Sequence, residues 1–87
     1  MNDAKPILKI LIEKAAILGL GEEDLYNVKD LFLHNEFGLS LDTLVTQMYE
    51  YSLKIDKETY DLIVEASGKM ELPAANYSFM QELIMIG

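Results

Sequence analysis

Arginine and cysteine are both absent from this chain of 87 residues, and histidine occurs once, as His34. Without cysteine there is no disulfide scaffold, no thiolate nucleophile and no cysteine-based metal site. One histidine cannot build a His-based metal site, and His34 has no partner for Ser/His/Asp chemistry in its own helix. Long apolar runs are missing as well. Lys9, Glu13 and Lys14 interrupt the first apolar segment, far short of the ~20 uninterrupted residues a membrane span needs. The N-terminal stretch Met1-Asn2-Asp3-Ala4-Lys5-Pro6 lacks a basic region followed by an apolar core and a small-residue cleavage site. A cytoplasmic protein without a membrane partner is the expectation. Positive charge is scarce: seven lysines face fifteen carboxylates, a formal net charge of −8. Such an anion repels nucleic acid and attracts basic protein surfaces over roughly a Debye length, ~8–10 Å at physiological salt.

What is present is a folding amount of apolar residue, 51%. That is too much for a disordered acidic tail, which lacks the hydrophobic surface to offset ordering entropy. The length fits a single domain spanning residues 1–87. No linker, repeat or low-complexity tract divides it, and the glycines and prolines sit where helices would start and stop.

The apolar spacing predicts an all-α fold, a compact bundle of about five short helices with no sheet. The first runs from about Asp3, its expected cap, to Leu18. It carries Ile7, Leu8, Leu11, Ala15 and Leu18 at helical spacing, with Ile10, Ile12 and Ile17 widening the stripe. A helix apolar most of the way round is expected to be central or partly covered in a homodimer. Glu22-Glu23-Asp24 favour the positive end of a second helix, whose buried face is Leu25, Val28, Leu31 and Phe32. His34-Asn35 and Gly38 are expected to end it. Ser40 is the expected cap of the third helix, with Leu41, Leu44, Val45 and Met48 facing the core. Asp56 caps the fourth, flanked by Ile55 and Tyr60 at the spacing of a hydrophobic staple. Ile63, Ala66, Val64 and Met70 form its packed side and Gly68 its stop. Pro73 opens a last helix bearing Tyr77, Met80, Leu83 and Ile84. Connections this short fit a helical bundle.

Three polar features invite a functional reading. Glu58, Asp61 and Glu65 share the side of the fourth helix opposite Ile63 and Ala66, either a solvated face or a docking surface for a basic partner. General acid–base work would need one carboxylate desolvated, which an exposed stripe does not provide. No calcium loop of alternating Asp/Asn ligands, central Gly and terminal Glu is present. Asp42, Thr46, Tyr49 and Glu50 point away from the core stripe of the third helix, with Gln47 and Tyr51 beside them. Exposed Tyr beside carboxylates suits recognition of a basic protein, because Tyr buries area at low entropic cost and keeps a hydroxyl. The alternative is that Tyr49 and Tyr51 pack on neighbouring helices. His34, at a helix C-terminus, suits the last carbonyls.

Gly38-Leu39-Ser40-Leu41-Asp42-Thr43 resembles the Gly-x-Asp-Ser-Leu segment of acyl carrier proteins, in which the serine carries phosphopantetheine. Leu39 stands where that family has aspartate, and N-cap duty explains Ser40 without a cofactor. No cofactor is expected.

A longer stretch is similar to the MafI-type immunity proteins, small acidic partners of bacterial polymorphic and contact-dependent inhibition toxins. The residues that carry the likeness are His34-Asn35-Glu36-Phe37-Gly38-Leu39-Ser40-Leu41, Leu44, Gln47-Met48-Tyr49-Glu50-Tyr51, and Ile55-Asp56-Lys57-Glu58 followed by Tyr60. The tail from Met70 and Leu72 into a short aromatic helix adds to it. Asn35 and Phe37 replace the Gly and Pro often seen there. The resemblance implies an antitoxin, not an enzyme, that caps the C-terminal nuclease domain of a cognate toxin, an RNase for several relatives, including the EndoU type. The contact residues expected on this basis are Glu36, Asp42, Tyr49, Glu50, Tyr51, Glu58, Asp61 and Glu65. No catalytic or metal-ligating residue is expected. An acidic helical adaptor or dimerisation module is the alternative, ahead of a carrier.

Overall fold

Every α-helix among the described residues ends in the same backbone device. The computed structural model describes residues 3–85, which form α1 (Lys5–Leu18), α2 (Glu22–Leu33), α3 (Phe37–Glu50), α4 (Lys57–Lys69) and a 3₁₀ helix, η1 (Ala74–Leu83). Past each α-helix one residue turns left-handed: Gly19, Asn35, Ser52 and Glu71. The next amide then donates to the carbonyl five residues back: Leu20 to Ala15 at 3.0 Å, Glu36 to Leu31 at 2.9 Å, Leu53 to Met48 at 3.0 Å, and Leu72 to Ser67 at 2.8 Å. This closure satisfies carbonyls that the helix end leaves without partners.

These closures correct several expected boundaries. Gly38 lies in the first turn of α3 and Gly68 inside α4, so neither stops a helix. Ser40 is not a cap: it sits within α3, fully buried, and its hydroxyl donates to the Val28 carbonyl of α2 at 2.9 Å. Glu36 takes the N-cap position of α3 without a side-chain cap bond. Asp3 does not cap α1 either, because Ala4 holds that position and its carbonyl accepts from the Leu8 amide at 2.8 Å. Asp56 does cap α4, its Oδ1 accepting from the Thr59 amide at 2.7 Å. Those hydrogen bonds hold its carboxyl below the usual range.

The core joins Leu8 and Leu11 of α1, Val28 of α2, Leu41, Leu44 and Met48 of α3, Ile63 and Ala66 of α4, and Tyr77, Met80 and Leu83 of η1. α1 packs against α2, α3 and α4, the central place its broad apolar stripe predicts. Ile10, Ile17 and Leu18 stay exposed, so the stripe is wider than the core it meets. Phe32 and Phe37 meet edge to face at 5.5 Å and join α2 to α3.

The last helix is 3₁₀ because its buried side chains recur every three residues, at Tyr77, Met80 and Leu83. A 3₁₀ turn of three residues keeps them in one row; an α-helix would rotate them progressively off the core. Its end is fastened by two bonds: the Ile55 amide donates to Leu83 at 2.9 Å, and the Met85 amide to Ile55 at 2.8 Å. There is no strand or sheet among the described residues beyond this Ile55–Ile84 bridge. The molecule is a slab of 37 × 27 × 17 Å.

Candidate interaction face on α3 and η1

The fifteen carboxylates are unevenly countered. α1 and α4 hold five of the seven lysines; residues 35–53 and 70–87 hold none. Those two lysine-free segments carry five carboxylates, and five of the eight net negative charges reside there. They are the segments that fold into α3 and η1, which pack side by side.

Two tyrosine–carboxylate hydrogen bonds, one donated from each element, stitch the pair. Tyr77 of η1 donates to Asp42 Oδ1 at 2.5 Å, and Tyr49 of α3 donates to Glu82 Oε1 at 2.7 Å. The registers match: seven α-helical residues from Asp42 to Tyr49 and five 3₁₀ residues from Tyr77 to Glu82 both span about 10 Å. Tyr49 also meets Phe79 edge to face at 5.1 Å. On the other flank of η1, Gln81 Nε2 donates to the Tyr60 hydroxyl of α4 at 3.1 Å.

Burial pushes the Tyr77 phenol well above its ordinary range, and the hydrogen bond and charge of Asp42 push it further. The Tyr49 phenol is also raised, mainly by its hydrogen bond to Glu82. Each carboxylate has about four lone-pair directions, and each tyrosine occupies one. Both carboxylates are therefore held in place with acceptor capacity left for an incoming lysine or arginine. Holding a side chain before association lowers the ordering cost of binding.

The expected contact residues divide into three sets. Asp42 and Tyr49 lie on the α3–η1 seam, with Glu50 and Tyr51 exposed at its end. Asp42 and Tyr49 do not simply point away into solvent, as expected from α3 alone, because η1 covers part of that face. Tyr51 is 60% exposed, so of the two tyrosines it is Tyr49 that packs on a neighbour. Glu58, Asp61 and Glu65 form the expected exposed stripe on α4, but Lys57 pairs with Asp61 at 3.2 Å and Lys14 lies 3.9 Å from Glu58. Glu65 has no ion pair among the described residues. Glu36 stands apart, lining a depression with Lys69 and Glu71.

Glu82 and Phe79 lie outside the expected set although they belong to the seam. The signal for them is the lysine-free run beyond residue 69, which matters only once η1 is seen to lie on α3. Ser40, with its hydroxyl buried, presents no accessible attachment point for phosphopantetheine. His34 Nδ1 lies 2.8 Å from the Asp30 carbonyl at the end of α2, the capping role expected of it. Among the described residues no group of three or more His, Asp or Glu side chains is placed to hold a metal ion, and no helix is long and apolar enough to cross a membrane.

No protein family, curated protein or solved structure matches this chain.

Proposed function

We propose that the protein is an immunity-type inhibitor that binds the basic nuclease domain of a cognate bacterial toxin and occludes its active site. The observation that carries the reading is the lysine-free α3–η1 seam, where Asp42 and Glu82 are pre-oriented by Tyr77 and Tyr49. Exposed Glu50 and Tyr51 extend the same face. Nuclease sites are basic because they hold phosphate, and a carboxylate-rich face complements them, speeds encounter and makes association salt-dependent. In this reading the chain transforms no substrate, uses no cofactor and acts in the cytoplasm of the toxin producer. The resemblance of residues 34–62 to MafI-type immunity proteins agrees with it.

The direct experiment is titration calorimetry against any toxin nuclease domain that a neighbouring gene proves to encode, paired with rescue of growth on co-expression. Tight, salt-sensitive binding with rescue is expected. Absence of both would remove the inhibitor reading. The exposure of Ile10, Ile17 and Leu18 on α1 favours one second reading, a self-associating adaptor. Concentration-dependent sedimentation separates the two.

A further inference from the structure

The α3–η1 seam fixes not only the charge of what can dock on it but also its shape. Asp42 and Glu82 mark its two ends, each held by a tyrosine of the facing element. The seven α-helical residues from Asp42 to Tyr49 set those ends about 10 Å apart. Inside the Glu82 end, Tyr49 and Phe79 meet edge to face at 5.1 Å, and Tyr49 is 38% exposed. The seam therefore presents two exposed carboxylates with an aromatic step between them.

Each tyrosine takes one oxygen, Asp42 Oδ1 and Glu82 Oε1. Asp42 Oδ2 and Glu82 Oε2 accept no hydrogen bond among the described residues, and neither carboxylate has an ion pair there. Lys54 precedes Ile55, which pairs with the end of η1, and it too forms no ion pair among the described residues.

We propose, resting on the inhibitor reading above for the partner's charge, that the seam takes a basic helix of the partner, with arginine or lysine at positions i and i+7 and apolar residues at i+3 and i+4. The spacing selects the helix. Residues seven apart on an α-helix share a face and lie about 10.5 Å apart. A strand misses this distance, because its same-face residues are about 6.6 or 13 Å apart. The two cations would meet Asp42 Oδ2 and Glu82 Oε2, and the apolar residues would lie on Tyr49 and Phe79. Either direction of the helix satisfies this pattern, since i+3 and i+4 exchange roles when it is reversed.

The test uses an alanine-based synthetic peptide of about sixteen residues, held helical by a staple on its far side, with Arg at i and i+7 and Leu at i+3 and i+4. In the control peptide the second Arg moves to i+5, off the binding face. Both are titrated at low salt into isotope-labelled protein, and amide chemical shifts report site and affinity together. Shifts should cluster on α3 and η1, with the i, i+7 peptide binding about fivefold tighter or more. Asp42→Asn/Glu82→Gln keeps acceptors for both tyrosines and should remove that preference with helicity unchanged. Glu13→Gln/Glu23→Gln, which removes equal charge from exposed sites off the seam, should retain it. Equal binding of the two peptides, no binding of the i, i+7 peptide, or the same loss in both double variants would overturn the proposal. Toxin binding and growth rescue without peptide binding would overturn the helix and leave the inhibitor reading standing. Peptide binding without rescue would do the reverse.

Discussion

Two pairs of elements in this molecule, α1 with α4 and α3 with η1, treat charge in opposite ways. On α1 and α4, lysines are interleaved with carboxylates, and two ion pairs form at the surface, Lys57–Asp61 and Lys14–Glu58. Exposed pairs of this kind contribute little to stability, about 0–1 kcal/mol, but they cancel the field that a partner would feel. On α3 and η1 no cation intervenes, and tyrosine hydroxyls take the role of partner. A neutral donor orients a carboxylate without neutralising it. Surface charge is therefore a poor guide to an interaction face until the partners of each carboxylate are known.

The sharpest way to break this contrast is to open the core that both pairs share. Leu44 is fully buried on α3, and Leu44→Ala should cost ~2–5 kcal/mol through the cavity it leaves. Urea melts measure this, and a near-zero loss would mean that α3 does not hold the core as described.

The seam itself is next. Tyr77→Phe leaves Asp42 without its donor and should cost at most about 1.5–3 kcal/mol, the range for hydrogen bonds to charged groups, because the exposed Asp42 can turn to water instead. Its pH signature has a definite sign. Burial, then Asp42, raises the phenol above its unfolded value of 10.0, so the folded chain keeps this proton when the unfolded chain loses it. The associated stability is complete below pH 10 and declines as pH rises beyond it. Tyr49, raised mainly by Glu82, contributes in the same direction. Urea midpoints between pH 8 and 11 should fall in the native protein and fall less steeply in Tyr77→Phe. Equal slopes would mean that Tyr77 ionises alike in both states.

For binding, the comparison predicts an order. Glu50→Lys combined with Tyr51→Ala should weaken association with the toxin domain at least tenfold, because both residues are exposed on the cation-free side. Asp61→Lys with Glu65→Lys should weaken it only several-fold, since Lys57 already offsets Asp61. Titration calorimetry on both variants decides, and the reverse order would move the interface to α4.

Much of the fold is legible in the sequence because helix periodicity is a local signal. The buried stripes Leu41–Leu44–Val45–Met48 and Ile63–Ala66, the Asp56 cap and the central place of α1 all follow from spacing. Boundaries follow less well, because a left-handed closure can be made by Asn35, Ser52 or Glu71 once tertiary packing offsets its strain. Ser40 is ambiguous for a related reason: a serine at a plausible N-cap and a serine bonding a neighbouring helix look alike in one dimension. The sequence predicts only a last helix here; the three-residue spacing of Tyr77, Met80 and Leu83 fits its 3₁₀ type once the structure is seen. Part of the candidate site was out of reach, since Glu82 joins Asp42 and Tyr49 only through contacts more than thirty residues apart.

The smallest expected effects test the helix ends. Gly68 lies exposed inside α4, and a Cβ added there would meet nothing within 4 Å. Glycine there retains needless freedom in the unfolded chain, so Gly68→Ala should stabilise by about 0.5–1 kcal/mol. Were Gly68 the true stop, the same substitution would force alanine into a left-handed turn and destabilise the protein. At Glu71, where φ is +59°, the expectation inverts. Glu71→Gly relieves a conformation that costs L-residues roughly 1–2 kcal/mol, less the greater backbone entropy glycine gains in the unfolded chain. A small net gain at both positions, each for its own reason, places the left-handed closure of α4 at Glu71; a loss at Gly68 with no gain at Glu71 would place it at Gly68 instead.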